Sequence, residues 1–263
     1  MCSVFRIVRR LALGAGLTQL TLAASGPAAR AGAFVEKPGE GKIIILGVFD
    51  GAERYWTASG RLIPVPEYSK FSLSALTEYG IDARTTLLGR AEIGRLDDLS
   101  GVRTQGSGAI GVRRLLFESG ALRIGAQALA SAGSGIEGLP SRSSGAALDV
   151  RLAAAMTFSL RERPAFVELS GGSHIVTGDW RGVRLDATLG VRPSSNWLLL
   201  LQSFNRFNEE GPFGDRARAH KVQVSTIYDL TFRWSIIAGV FATIAARAER
   251  RQYGALTGVM RRF

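Results

Sequence analysis

The side chains best suited to covalent chemistry in this sequence are a serine and a histidine that are neighbours, Ser173 and His174. A serine hydroxyl becomes a nucleophile when an imidazole accepts its proton, which is the basis of acyl transfer. The residues around the pair alternate as in a β-strand, where neighbouring side chains point to opposite faces. We therefore expect the hydroxyl and the imidazole to face apart, with His174 on the same face as Glu168 and Ser170, and we predict no catalytic residues.

A metal or cofactor site is not predicted either. The second histidine, His220, begins a strand beside a lysine, where a surface role is expected. The single cysteine is Cys2, so neither a disulfide framework nor a thiolate metal site is predicted. The acidic loop 207–218 contains oxygen ligands that could suit calcium, but their spacing matches no calcium-binding loop. The sequence thus predicts neither a cofactor nor a metal.

Charged and amide side chains recur at every second position between apolar residues. For example, Asp149 and Arg151 alternate with Leu148, Val150 and Leu152, which is the two-residue period of a strand with one polar and one apolar face. If the polar faces share one interior, they form a lining of mixed charge. The residues predicted to face this lumen are Lys70, Glu78, Arg90, Glu92, Arg123, Gln127, Asp149, Arg151, Glu168, Arg184, Asp186, Lys221 and Gln223.

The alternating segments are too long for an ordinary soluble sheet. Most span about 10 to 13 residues, whereas strands of soluble sheets have about 5–6. A tilted strand of roughly 9–11 residues crosses a bilayer, so the segment length favours a membrane barrel. The predicted strands are 41–50, 67–79, 85–95, 106–117, 121–131, 145–159, 165–174, 180–192, 197–206, 219–229, 234–245 and 252–263.

The connections between these strands alternate between short and long. Tight turns such as 80–84 and 118–120 follow the even-numbered strands, and longer loops such as 51–66, 96–105 and 132–144 follow most odd-numbered ones. Short turns on one rim and longer loops on the other are typical of outer-membrane barrels. An open edge would leave backbone groups unpaired in lipid. The predicted fold is all-β, a transmembrane up-and-down antiparallel β-barrel of about 12 strands, within a range of 10–14.

Aromatic residues and two exceptions to the alternation refine this prediction. Adjacent Arg113 and Arg114 cannot both face the lumen, so one must lie near a rim or extend its guanidinium to the membrane surface. The segment Trp197–Leu201 is apolar at successive positions, which predicts a partly packed lumen. Aromatic rings favour the level of the lipid headgroups. The aromatic residues expected beside the short turns or at the carboxyl terminus are Tyr79, Phe117, Phe158, Phe166, Trp197, Tyr228, Trp234 and Phe263.

Residues 1–31 have the three parts of a secretory signal peptide, which is removed on export. A mature chain beginning at Gly32 would form one barrel domain, 32–263. The predicted segment carries four arginines and no acidic residue, so cleavage leaves 33 − 4 = 29 basic against 22 acidic residues, a net charge of +7 instead of +11. The charged start, the apolar middle and the cleavage motif are Arg6, Arg9 and Arg10, then Leu11–Ala24, then Ala29–Ala31.

The carboxyl-terminal segment resembles the assembly signal of bacterial outer-membrane barrels, a last strand that ends in phenylalanine with apolar residues at alternate positions. Tyr253, Val259 and Phe263 match this pattern, and Arg261 departs from it. The resemblance implies recognition by the barrel-assembly machinery and location in the outer membrane.

A looser resemblance is to exported proteobacterial barrels labelled XagA-like. The segments that carry it are 38–46, 63–68 and 78–80. This resemblance brings no catalytic residues.

A non-enzymatic outer-membrane protein is the predicted function, either a narrow passive channel for small solutes, with a preference for anions, or a surface structural protein. Charged rings that line a constriction set the selectivity of a pore, whereas paired charges would fill the lumen. The alternatives are an outer-membrane lipid-modifying enzyme of the acyl hydrolase type and a soluble periplasmic β-protein. The predicted partners are outer-membrane lipid, the assembly machinery and small solutes. No nucleic-acid partner is predicted, because the basic residues are dispersed.

Overall fold

The computed structural model describes residues 33–99, 101–134, 144–177, 180–208 and 216–263. The predicted signal peptide, 1–31, lies outside the described residues. The described ranges contain no helix that is long and apolar enough to span a membrane.

Twelve long strands form one closed antiparallel barrel in which each strand pairs with its neighbour in sequence. The last strand, β13, pairs with both β11 and β1, and β1 pairs in turn with β2, which closes the sheet. The prediction of a twelve-stranded up-and-down barrel is therefore confirmed. The strands are β1 Gly41–Trp56, β2 Leu62–Asp82, β3 Thr85–Asp98, β4 Gly101–Ser119, β5 Leu122–Ser134, β6 Ser144–Leu160, β7 Arg163–Val176, β8 Trp180–Val191, β9 Trp197–Asn208, β10 Arg218–Asp229, β11 Trp234–Arg247, the two-residue β12 Glu249–Arg250, and β13 Tyr253–Arg262.

Two of the predicted long loops are wrong. Most of 51–66 and of 96–105 continues as strand, so that β1 and β2 are joined by 57–61 and β3 and β4 by 99–100. Pro64 and Pro66 indicated a loop, because proline cannot donate a hydrogen bond to a central strand. Pairing of β2 with β3 ends at Ser69, so both prolines lie where β2 has a neighbour on one side only.

The outer face of the barrel is apolar and the inner face is largely polar. Leu152 and Leu185 are about half exposed on the outside, at 60% and 49%. Their sequence neighbours Arg151 and Arg184 are buried inside. Since an exposed apolar band around a closed barrel is stable in lipid and not in water, the architecture is that of a transmembrane barrel.

Trp234 and Phe263 lie on the outer face at the short-turn end, as expected for headgroup-level aromatic residues. The guanidinium of Arg261 lies 5.6 Å from the centre of the Trp234 ring, which places this charge among the aromatic residues instead of deep in lipid. Phe166 is an exception to the prediction. It is fully buried inside the barrel, because it shares the inward parity of Glu168.

The closing seam joins the first residue of β1 to the last residue of the chain. The Phe263 amide donates to the Gly41 carbonyl at 2.9 Å, and the Gly41 amide donates to the Phe263 carbonyl at 2.8 Å. A Cβ on residue 41 would come 2.7 Å from the Glu78 carbonyl oxygen and 2.8 Å from the Phe263 ring, so glycine is required for this approach.

We predict that deletion of Phe263 removes most folded protein from the outer membrane, because two seam hydrogen bonds and the terminal ring are lost together. Phe263→Tyr, which keeps both, should assemble normally. The measurement is the fraction of protein in outer-membrane preparations that migrates faster on a gel unboiled than boiled. Equal fractions for the deletion and the parent chain would show that this residue is not part of an assembly signal.

We also predict that Leu185→Arg lowers the free energy of unfolding by about 2–4 kcal/mol, because Leu185 lies on the lipid face near the middle of β8. Leu160→Arg is the control. Leu160 is also exposed on the outside but ends β6 at the short-turn rim, where the cost should be about 0–1 kcal/mol. Urea unfolding in lipid measures both, and equal costs would contradict the assignment of depth.

Candidate functional site: the barrel lumen

The segment 33–40, which precedes β1, enters the barrel at the short-turn end, and we call it the amino-terminal segment. Residues 33–36 lie inside, and residues 37–40 are exposed at the rim. The Ala33 amide donates to a Glu168 carboxylate oxygen on β7 at 2.6 Å. The Glu36 amide donates to Thr86 on β3 at 2.8 Å. Arg113 on β4 donates to the Phe34 carbonyl at 3.3 Å. Contacts with three separated strands are possible only from within the lumen, so this segment occupies one end of it.

The amino-terminal segment is held on one side by a buried network of charges. The Lys42 ammonium lies 2.9 Å from Glu36 and 3.1 Å from Glu78. The guanidinium of Arg113 lies 2.9 Å from the same Glu78 carboxylate. Four charges therefore alternate between the segment and three strands of the wall. Such pairing is needed because a buried charge without a partner costs several kcal/mol.

An apolar cluster fills the opposite side of the lumen at the same end. Leu198 and Leu200 point inward from β9 and are 0% and 2% exposed, whereas Leu199 is 47% exposed on the lipid face. The double-sided apolar pattern of Trp197–Leu201 thus has a physical reason, since both faces of β9 meet apolar surroundings. The cluster comprises Ala33, Phe34, Ile44, Leu46, Ala155, Phe166, Leu198, Leu200, Ile227, Ile237, Phe241, Leu256 and Met260.

Around mid-height, side chains from β6, β7 and β8 form a second charged group. Arg151 contacts Asp149 at 2.5 Å and Asp186 at 2.8 Å. Arg184 lies 3.3 Å from Asp149, and the imidazole Nδ1 of His174 lies 3.4 Å from the same carboxylate. The side chains of this group hold one another in place across three strands.

The serine and the histidine of the acyl-transfer hypothesis do not meet. His174 is 3% exposed and lies inside the lumen, and the adjacent Ser173 is exposed on the outer face. The imidazole therefore contacts Asp149 rather than a serine hydroxyl. Within the described residues, no group of three or more histidine, cysteine or acidic side chains is arranged to hold a metal ion.

Toward the long-loop end the inner wall carries dispersed polar and charged side chains. Lys70 pairs with Glu92 at 3.1 Å. The ammonium of Lys221 donates to Gln252 at 2.9 Å and lies 4.8 Å from the centre of the Phe241 ring. Arg206 forms an ion pair with Glu249, and the Arg250 guanidinium lies 4.4 Å from the centre of the Tyr68 ring.

The residues predicted to face the lumen divide into two sets by burial. Arg123 lies apart from the rest, at the short-turn end, where it pairs with Glu118 and lies over the Phe34 ring. The others contribute to the groups described above or lie between them. Lys70, Asp149, Arg151, Glu168, Arg184, Lys221 and Gln223 are buried, and Glu78, Arg90, Glu92, Arg123, Gln127 and Asp186 are of intermediate exposure.

Sequence reasoning missed several residues of the lumen. The amino-terminal segment has no strand period, and nothing in its composition indicates that it enters the barrel. Lys42 was missed because β1 is apolar on both faces near its start, which leaves its register ambiguous. Arg113 could have been assigned from the sequence, because it lies on the face opposite to Ile110 and Val112, which are exposed to lipid. The structure puts Arg113 inside and Arg114 outside.

No family model matches this chain, and no curated protein matches it in sequence. Among solved structures, the COG4313 outer membrane channel from Pseudomonas putida F1 is similar at a TM-score of 0.65 and 16% identity, over 87% of this chain and 97% of the other. The fold is that of an outer-membrane β-barrel protein.

Two further structures share this fold. The KdgM porin in complex with oligogalacturonate gives a TM-score of 0.51 at 11% identity, over 84% of this chain and 99% of the other. The translocator domain of the autotransporter NalP from Neisseria meningitidis gives 0.53 at 10% identity, over 87% and 90%. At such identities the similarity establishes the fold of the chain. The narrower XagA-like resemblance stays a prediction.

We predict that Arg113→Met lowers the free energy of unfolding by about 3 kcal/mol, because it leaves the buried Glu78 carboxylate one cation short. Arg114→Met, one residue away on the outside, should change it by no more than about 0.5 kcal/mol. Urea unfolding in detergent or lipid compares the two directly. A similar cost for both substitutions would contradict the buried network.

Proposed function

We propose that this protein is a narrow outer-membrane channel for small solutes, closed at the short-turn end by its own amino-terminal segment. The observation that carries the proposal is that charged side chains line one side of the lumen around this segment and continue toward the long-loop end, whereas the main apolar cluster lies on the other side of the short-turn end. A wall that serves stability alone would be expected to bury apolar side chains throughout, since a buried ion pair rarely adds stability. Similarity to the COG4313 outer membrane channel supports the proposal.

The proposed selectivity for anions is weak. The predicted lumen residues include six basic side chains, Lys70, Arg90, Arg123, Arg151, Arg184 and Lys221, and five acidic ones, Glu78, Glu92, Asp149, Glu168 and Asp186. These give an excess of 6 − 5 = 1, and the lumen charges described above, Lys42, Arg113, Arg206 and Arg250 against Glu36 and Glu249, raise it to 10 − 7 = 3. Since charged rings set selectivity through their net field, a modest preference for anions is expected.

We infer that the protein acts without catalysis, in the outer membrane, after removal of a signal peptide near Ala31. The separation of Ser173 from His174 supports this, because a nucleophile needs its base within hydrogen-bond distance. The apolar belt and the terminal Phe263 support a bilayer location. A surface structural protein is the second candidate, because the apolar cluster and the amino-terminal segment fill the short-turn end of the lumen.

We expect that deletion of residues 33–36 converts rare or very small conductance steps into frequent, larger ones, because this segment then no longer fills the short-turn end. Lys37→Ala is the control, since the Lys37 side chain is 63% exposed and pairs only with the neighbouring Glu40 among the described residues. It should leave conductance unchanged. The measurement is current through purified mature protein in planar bilayers. A deletion variant that is folded by gel shift and yet silent would favour the structural candidate.

A further inference from the structure

Glu168 is a buried carboxylate whose charge is poorly balanced by the described side chains. It is 5% exposed and accepts a hydrogen bond from the Ala33 amide. Glu78 and Asp149, by contrast, each lie within 4.0 Å of two or more basic groups. No lysine, arginine or histidine of the described ranges pairs with Glu168, and its more distant charged neighbours are Arg113 and two acids. A nearby cation would therefore stabilise this position.

Signal-peptide cleavage after Ala31 would create such a cation next to this carboxylate. The mature chain then begins at Gly32, whose α-amino group is positively charged near neutral pH, with a pKa of about 7.7–8.0. Backbone geometry allows the nitrogen atoms of successive residues to be no more than about 4 Å apart. Ala33 is itself fixed, fully buried with its amide 2.6 Å from Glu168. An α-ammonium group on residue 32 would therefore lie no more than about 7 Å from the carboxylate, a separation that rotation about the bonds of this residue can reduce to an ion pair.

We propose that Glu168 is the binding site for the α-ammonium group of the mature amino terminus, so that cleavage of the signal peptide locks the amino-terminal segment in the lumen. In the uncleaved precursor the nitrogen of residue 32 belongs to a neutral peptide bond and cannot form this ion pair. Charge-assisted hydrogen bonds are about twice as strong as neutral ones. The proposal rests on the proposed cleavage after Ala31 and does not depend on whether the barrel conducts.

The main chain at Ala33 packs closely against β5. Gly125 on β5 faces this position, and a Cβ there would come within 3.4–3.5 Å of the Ala33 carbonyl oxygen and Cα. On the same strand, the Arg123 guanidinium lies 4.7 Å from the centre of the Phe34 ring and holds the next residue. The main chain at Ala33 therefore has little freedom to move its amino end away from Glu168.

A proximity test uses mature protein purified from outer membranes. Intact-mass measurement first establishes that the chain starts at Gly32. A water-soluble carbodiimide then activates carboxylates, and an amine in contact attacks the activated carbon to form an amide with net loss of water. We expect a Gly32–Glu168 cross-link in folded protein that is lost after denaturation. A chain that starts elsewhere, or a folded protein without this cross-link, overturns the proposal.

A second test distinguishes an ion pair between the α-ammonium group and Glu168 from simple burial of the amino terminus. At near-neutral pH the α-amino group can be acetylated selectively, because lysine has a pKa of about 10.4. The protein is acetylated unfolded and then refolded. Acetylation should raise the unfolding equilibrium constant at least about tenfold in the parent chain, the scale of a hydrogen bond to a charged group. It should have little effect in Glu168→Gln, which keeps an acceptor for the Ala33 amide.

Glu92→Gln is the matched control, because Glu92 is also a lumen carboxylate but pairs with Lys70 and Arg90. Acetylation should raise the unfolding equilibrium constant of this variant by the same factor as that of the parent chain. The same factor in the parent chain and in both variants would mean that the acetyl group destabilises the fold through its size and not through the lost charge, and the proposal would be rejected. If Glu168→Gln does not refold, the cross-link in the unmodified chain still decides the outcome.

Discussion

Backbone pairing in lipid is the constraint on which the rest of this structure depends. A bilayer offers no hydrogen-bond partners, so each strand must find a neighbour on both sides and the sheet must close. The closure falls to Gly41 and Phe263, whose backbones exchange two hydrogen bonds at the start of the seam. Once the sheet is closed, the two-residue period assigns every side chain to lipid or lumen. The chemistry of the inside therefore follows from the parity of each strand.

The lumen encloses charged side chains that the bilayer cannot solvate, so these charges need partners inside the barrel. Basic and acidic side chains from neighbouring strands meet in groups, as Arg151 does with Asp149 and Asp186. At one end the wall leaves space that its own side chains do not fill, and the amino-terminal segment occupies it. Charge pairing and this segment together determine how much of the interior is open to water.

Most of the barrel could be predicted from the sequence, because strand length and alternation report directly on bilayer thickness and on the two unlike faces. The predicted strands all correspond to real ones, although β1 and β2 continue farther than Pro64 and Pro66 suggested. Contacts inside the lumen could not be predicted. Arg113 and Glu78 lie 35 residues apart in sequence, and their meeting depends on the register of β2, β3 and β4. The position of Ala33 against Glu168 has no periodic signal at all.

The β1–β2 hairpin leaves one strand edge exposed above the barrel, and its sequence bears on how copies of the protein behave when crowded. An open strand edge is a template onto which a second chain can add, leading to aggregation. Along 62–68 β2 has no partner from β3, and two of these residues, Pro64 and Pro66, have no amide hydrogen to donate. The hairpin can therefore project from the barrel without recruiting strands from adjacent molecules, even in a densely packed membrane.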